Sequence, residues 1–203
     1  MGEQAFSADE QQHIRKAIRR KYQEVSRSAE GFFSYQTGKK GAFDLGYDPV
    51  ILHAFTDDAL NSFCGVGNPF NISSIPVGSK VLDIGCGAGF DLLVACKIVG
   101  DKGQVCGIDL TEEMIKKARL FVERFGDDNI SVQQVSAEEI PYTDESFDYV
   151  ISNGVFNLSP LKLELFREIL RVLKPSGILQ FADVSLVDGE VPDQASSPDD
   201  WAQ

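Results

Sequence analysis

The segment VLDIGCGAGFD, residues 81–91, constrains this chain more than any other feature. The mostly apolar run Val81-Leu82-Asp83-Ile84 leads into three glycines at alternate positions, Gly85, Gly87 and Gly89, and a helical pattern follows over 91–99. A glycine-rich turn between a first strand and a helix lets a ligand approach the backbone closely. After it, strands are expected at 105–110, 130–135, 147–152 and 178–184. Amphipathic helices are expected at 112–125 and from Ser159-Pro160 to 173, with proline in the first turn of the second. Strand–helix alternation with short connections specifies an α/β fold, a doubly wound, mostly parallel sheet covered on both faces.

Ahead of the sheet, Ser7 and Glu10 form a capping box for a helix over 8–25. Ile14, Ala17, Ile18, Tyr22 and Val25 lie on one face of it. Arg15, Lys16, Arg19, Arg20 and Lys21 read as a solvated face. Residues 31–46, rich in glycine and aromatic side chains, read as a loop able to serve as a lid, and a short helix is expected at 57–63. The chain thus divides into an N-terminal helical and lid segment, 1–76, a cofactor-binding domain, 77–188, and an acidic tail, 189–203.

Charge narrows the function. Nineteen Lys and Arg against 31 Asp and Glu give a net charge of −12, which argues against nucleic acid and anionic membrane surfaces as partners. Asp183, Asp188, Glu190, Asp193, Asp199 and Asp200 concentrate acid near the end of the chain. The four cysteines contain no C-x-x-C spacing and only two histidines are present, so no metal site is expected. No secretory leader and no apolar run of membrane-spanning length is visible, and a cytoplasmic location is expected.

Two ligand classes compete for the glycine turn. A dinucleotide fingerprint, G-x-G-x-x-G, would need glycine where Phe90 stands. Asp83, two residues before the first glycine, would oppose a pyrophosphate and suit a ligand carrying an ammonium group. Asp109, at the end of the second strand, is placed to accept hydrogen bonds from a free ribose diol. S-adenosylmethionine carries an ammonium, a sulfonium and a free diol, and no phosphate.

At this point the sequence resembles the class I S-adenosylmethionine-dependent methyltransferases over about 77–184. VLDIGCGAGFD, GIDLTEEMIKKAR, SAEEIPYTDESFDYVIS and LKPSGIL resemble successive family motifs. The resemblance implies that Asp83 and the Gly85 and Gly87 backbone meet the methionine moiety, that Asp109 holds the ribose, and that Leu110 lies on the adenine with Ala137 and Glu138 at its edge. Cys86, Gly89 and Met114 complete the implied cofactor set, and Asn153 would line the methyl-transfer site.

A narrower resemblance is to the arsenite methyltransferases, carried by SNGVFNLSP at 152–160, Gly67-Asn68-Pro69 and Gly46-Tyr47. It implies methyl transfer to As(III), which that family holds with cysteine thiolates. Here Gly154 and Val66 occupy two of the family's cysteine positions, while Cys64 stands two residues from one of them. With Phe32, Phe33, Phe43, Tyr47 and Phe156 available, a small organic acceptor is also open, with Tyr47 orienting it or acting as acid or base and Asn153 lining the pocket. The antiparallel hairpin with which that fold closes is missing from the pattern. The fifth strand is therefore expected to be an open edge, a candidate for pairing in a homodimer. The alternative function is a SAM-binding sensor, or half of an assembly, without its own acceptor site.

Overall fold

The computed structural model describes residues 6–135 and 138–185. Among them five strands, β1 (Lys80–Ile84), β2 (Gln104–Asp109), β3 (Ile130–Gln134), β4 (Phe147–Asn153) and β5 (Leu173–Ala182), form one sheet in the order β3-β2-β1-β4-β5. Every neighbouring pair is parallel, and Asp83 of β1 sits level with Gly107 of β2 and Ile151 of β4.

The period-two alternation of β1 sorts its side chains onto two faces. Val81 packs with Leu92, Ala95 and Val99 of α5 (Phe90–Val99). Leu82 and Ile84 pack with Leu165, Ile169 and Val172 of α7 (Lys162–Val172) on the other face. Helix α6 (Glu112–Phe125) packs on β2 and β3 and is ended by Gly126 in the left-handed region, as its sequence predicts. The α/β, Rossmann-like parallel sheet is therefore the one expected.

Helix α1 (Ala8–Val25) carries both bonds of its capping box: Glu10 N donates to Ser7 Oγ and Ser7 N to Glu10 Oε2. Ile14 and Ile18 of α1 are buried against Leu158, with Leu110 and Tyr22 beside them. Burying two such side chains stabilises the docked helix by about 1.5–3 kcal/mol each. This lays α1 over the carboxyl ends of β2 and β4. Residues on either side of the 76/77 division share one cluster, in which Ala42, Tyr47, Leu52 and Phe63 meet Phe90, Leu93, Met114 and Phe121.

Four local expectations are corrected. The glycine- and aromatic-rich stretch 31–46 is not all loop: it contains helix α2 (Gly38–Asp44), anchored by Gly38 N donating to Phe63 O at 2.6 Å and by wholly buried Ala42. Pro160 is not in the first turn of a helix. Phe156–Leu158 makes a 3-10 turn, and α7 starts at Lys162 after Ser159 Oγ accepts from Leu161 N. The helix expected at 57–63 stops earlier, as α4 (Asp57–Asn61), between α3 (Pro49–Leu52) and a 3-10 turn at Pro69–Asn71. The last strand, expected to start at 178, starts earlier. β5 begins at Leu173 directly after α7, and a register shift opposite Phe147–Tyr149 absorbs the extra residues. Among the described residues β5 is one edge of the sheet, with Ile178 and Phe181 exposed, and the tail at 189–203 lies outside them.

Candidate functional site

The strand order reverses direction between β1 and β4, and there the carboxyl ends of the strands open into a crevice. A cleft of about 140 Å³ lies at this point, roofed by Arg15, Ile18 and Tyr22 of α1. Its floor is the glycine turn. Gly85 has φ +69°, and a Cβ there would stand 2.3 Å from Val155 Cγ2, so only glycine fits. Gly87, φ +52°, has nothing within 4 Å of where a Cβ would be, which leaves ligand-sized access to the backbone.

Asp109 couples that floor to the second strand. Its Oδ2 accepts from Gly87 N at 2.9 Å and its Oδ1 from Thr111 N at 2.7 Å. Burial pushes its carboxyl above the usual range, opposed by those amide bonds. While ionised this carboxylate only accepts, so a ligand hydroxyl in the cleft can donate to it. Leu110, Val135 and Ile140 give the adjoining wall an apolar surface. Glu138 closes that end, with Oε2 2.6 Å from Arg15 Nη2 and Oε1 accepting from Ser159 Oγ at 3.0 Å.

Asp83 lies beneath the floor rather than in the cleft lining, 2% exposed, and its Oδ2 has no hydrogen-bond partner. Burial, reinforced by Asp91 and Asp109, holds its carboxyl well above the usual range. Asp91 of α5 is pushed up to about 6 by burial, against the hydrogen bonds it receives. A buried carboxyl with an open acceptor and no cation beside it is a place where an ammonium group is favoured.

Tyr47 and Asn153 belong to a buried network next to Asp91. The Tyr47 hydroxyl donates to Asp91 Oδ1 at 2.6 Å and lies 3.1 Å from Gly67 O. Asn153 Oδ1 accepts from Val66 N at 2.8 Å and Gly67 N at 3.1 Å. Its amide nitrogen faces Gly67 O, Asp91 Oδ2 and the Tyr47 hydroxyl at 2.8, 3.0 and 3.1 Å. Asn153 reaches the cleft lining, whereas Tyr47 is buried behind it.

The remaining expected residues divide the same way. Gly85, Gly87, Asp109, Leu110 and Glu138 are brought together in the lining. Cys86, Gly89 and Met114 are not: Cys86 packs beneath against Gly107, Gly89 caps α5 close to Ala118, and Met114 is buried in the α5–α6 core. Ala137 lies outside the described residues. Two lining residues went unrecognised in the sequence. Arg15 does not belong to a solvated face; it enters the cleft, and Tyr22 follows it seven residues later on the same helical stripe. That i, i+3, i+7 spacing with Ile18 was the available signal. Cys64 also lines the cleft, its thiol pushed up to about 12 by burial. A Cβ on Gly154 would lie 3.3 Å from Val66 Cγ1, so these two positions face one another across the wall.

A buried carboxyl with an unpartnered oxygen, an aspartate in the cleft wall, an apolar stretch beside it and an accessible glycine backbone fit S-adenosylmethionine. Against known families, residues 75–202 match the model of the methyltransferase domain. The chain belongs to that family. It is 40% identical over 154 residues to an arsenite methyltransferase of Halobacterium salinarum, covering 76% of this chain and 39% of that protein. It is 38% identical over 109 residues to a demethylmenaquinone methyltransferase of Listeria welshimeri, covering 53% and 46%. Among solved structures, an arsenic (III) S-adenosylmethionine methyltransferase from Chlamydomonas reinhardtii superposes with a TM-score of 0.61 at 36% identity, over 68% of this chain and 50% of that one. A SAM-dependent methyltransferase from Aquifex aeolicus gives 0.55 at 28%, over 81% of both chains. The chain thus spans less than half the length of the curated relatives it matches. Among the described residues no helix is long and apolar enough to cross a membrane.

Proposed function

We propose that this methyltransferase-family chain transfers the methyl group of S-adenosylmethionine to a small acceptor, either As(III) or a small organic molecule. The observation that carries the reading is Asp109, set at the end of β2 in the cleft wall and holding the glycine turn through Gly87 N. In this reading Asp109 accepts from the ribose hydroxyls, Leu110 lies against the adenine with Glu138 at its edge, and the carboxyl of Asp83 offsets the ammonium charge. The bound cofactor supplies an electrophilic methyl group. The chain's contribution is positioning, because in-line displacement needs the acceptor opposite the sulfur. Asn153 serves this by fixing Val66 and Gly67, the wall on the acceptor side. Tyr47 acts through Asn153 and Asp91 rather than on the acceptor itself.

Titration of S-adenosylmethionine into the chain by calorimetry tests the reading. Micromolar binding, about −8 kcal/mol, is expected, with at least a tenfold loss in Asp109→Ala. A folded Asp109→Ala protein with undiminished affinity overturns the ribose assignment. For the acceptor, turnover with arsenite plus glutathione is compared between the wild type and Cys64→Ser. Turnover indifferent to arsenite ends the arsenic branch and leaves the organic one. No observation favours a SAM-binding module without an acceptor, and methyl transfer to any small molecule excludes it. The β5 edge, unpaired among the described residues and with Ile178 and Phe181 exposed, is proposed to pair with a second copy. Light scattering showing only monomer at high concentration overturns that pairing.

A further inference from the structure

The hydrogen-bond donors of the cleft are unevenly distributed. The amides of Gly85 and Cys86 both donate to Ile108 O, Gly87 N donates to Asp109, and Gly89 N donates to Cys86 O. The glycine turn therefore exposes its backbone to a ligand but keeps these four amides engaged. The carboxyl groups of Asp109 and Glu138 only accept while ionised. A ligand with an amino-acid carboxylate and ribose oxygens also needs donors, and unmet acceptors in a water-poor site are costly.

Open donors do exist on the roof. Tyr22 is half-buried, lines the cleft, and its hydroxyl makes no hydrogen bond among the described residues. Arg15 Nε is buried without a partner, while its Nη2 is held by Glu138. Seven residues separate them, about 10 Å along α1, which is the length scale of a nucleoside with a side arm. Arg15 stands at the Glu138 end. Tyr22 stands at the end marked by Cys64, where Cys64, Tyr35 and Asp109 all act on its hydroxyl. The Arg15–Glu138–Ser159 bridge fixes the helix across the cleft. The domain match begins at residue 75, so this wall comes from outside the matched region.

We propose that α1 is the second wall of the cofactor site and that the Tyr22 hydroxyl is a ligand-binding group, donating to the amino-acid end of S-adenosylmethionine. The inference rests on the cofactor reading above. Burial keeps the phenol protonated and hence a donor. Its ring packs beside Ile14 and Ile18, so a phenylalanine there keeps the roof in place.

The test is calorimetric titration of Tyr22→Phe, in the full chain, with S-adenosylmethionine and separately with adenosine, which lacks the amino-acid arm. S-adenosylmethionine affinity is expected to fall about tenfold to a hundredfold, the range of one hydrogen bond to a charged group, with adenosine affinity and melting temperature unchanged. Lys16→Gln, on the exposed side of α1, is the control and changes neither. Arg15→Met provides a second variant: loosening the bridge to Glu138 should weaken both ligands together. Tyr22→Phe binding S-adenosylmethionine within twofold of wild type overturns the proposal, as does a parallel loss of adenosine, which would move the hydroxyl away from the amino-acid arm. Wild-type protein that binds no S-adenosylmethionine overturns the cofactor reading itself, a different result.

Discussion

The floor of the cleft and its opposite walls are held over very different distances in the chain. Gly87 and Asp109, which join the floor to the second strand, are 22 residues apart. Asn153 reaches Gly67 and Val66 across 86 and 87 residues, and Arg15 reaches Glu138 across 123. The floor is a local supersecondary unit, whereas each wall exists only once the sheet has brought distant segments together. Substitutions in the walls should therefore disturb stability and geometry in ways that floor substitutions do not.

The largest effect is expected at Asn153. Asn153→Ala removes the acceptor for Val66 N and Gly67 N and the amide donor to Asp91. Several buried polar groups lose partners at about 1–3 kcal/mol each, so a loss of about 3–5 kcal/mol is expected in urea unfolding. A loss below about 1 kcal/mol would show that the wall does not depend on this one side chain, and the contrast between local floor and long-range wall would fail.

The buried carboxyls behind the floor and the wall have an electrostatic signature. Asp91 has a folded value of about 6 against an ordinary 3.8, and Asp83 is displaced in the same direction. A group raised in the folded state contributes stability below its unfolded value and loses that contribution as pH rises through its folded value. Unliganded protein should thus lose stability between pH 4 and pH 6, by about 3 kcal/mol from Asp91 alone. Asp83→Asn, which neutralises the carboxyl with the unpartnered oxygen, should be more stable than wild type at pH 7 and show a shallower slope. Thermal melts from pH 4 to 8 read both. A variant slope identical to wild type would mean that Asp83 binds its proton equally in the folded and unfolded chain, so that burial does not displace its titration.

The same contrast governs what the sequence disclosed. The alternation of strands and helices, the glycine turn, Asp109 and the α1 capping box are short-range patterns, and each was readable from spacing. Arg15 was hidden in a basic run because helical periodicity places a side chain on a stripe without saying what the stripe faces. The partner that draws it inward, Glu138, lies in another motif altogether. Helix α2 was obscured by glycines that usually break helices; here Gly41 lies so near Gln36 O that a Cβ would stand 2.2 Å away, a packing fact no local pattern encodes. Tyr47 stood out as an aromatic in an expected lid, yet its hydroxyl is committed to Asp91.

The smallest effect separates two tyrosines. Tyr47→Phe keeps the edge-on ring contacts with Phe63, Phe70 and Phe90, at centroid distances of 5.3, 6.1 and 5.2 Å, and deletes only the hydroxyl. Asp91 then loses one of the two side-chain bonds that hold its carboxyl down, so its folded value rises further. The cost should be about 1–2 kcal/mol at pH 7, where the carboxyl is ionised, and smaller at pH 4, where it is protonated. Because Tyr47 lies behind the cleft lining, affinity for S-adenosylmethionine should stay within twofold. Tyr22→Phe should do the reverse, weakening affinity while leaving the urea midpoint in place. If the two variants behaved alike, buried network and ligand-facing roof would be one mechanical unit, and distance along the chain would not distinguish how they work.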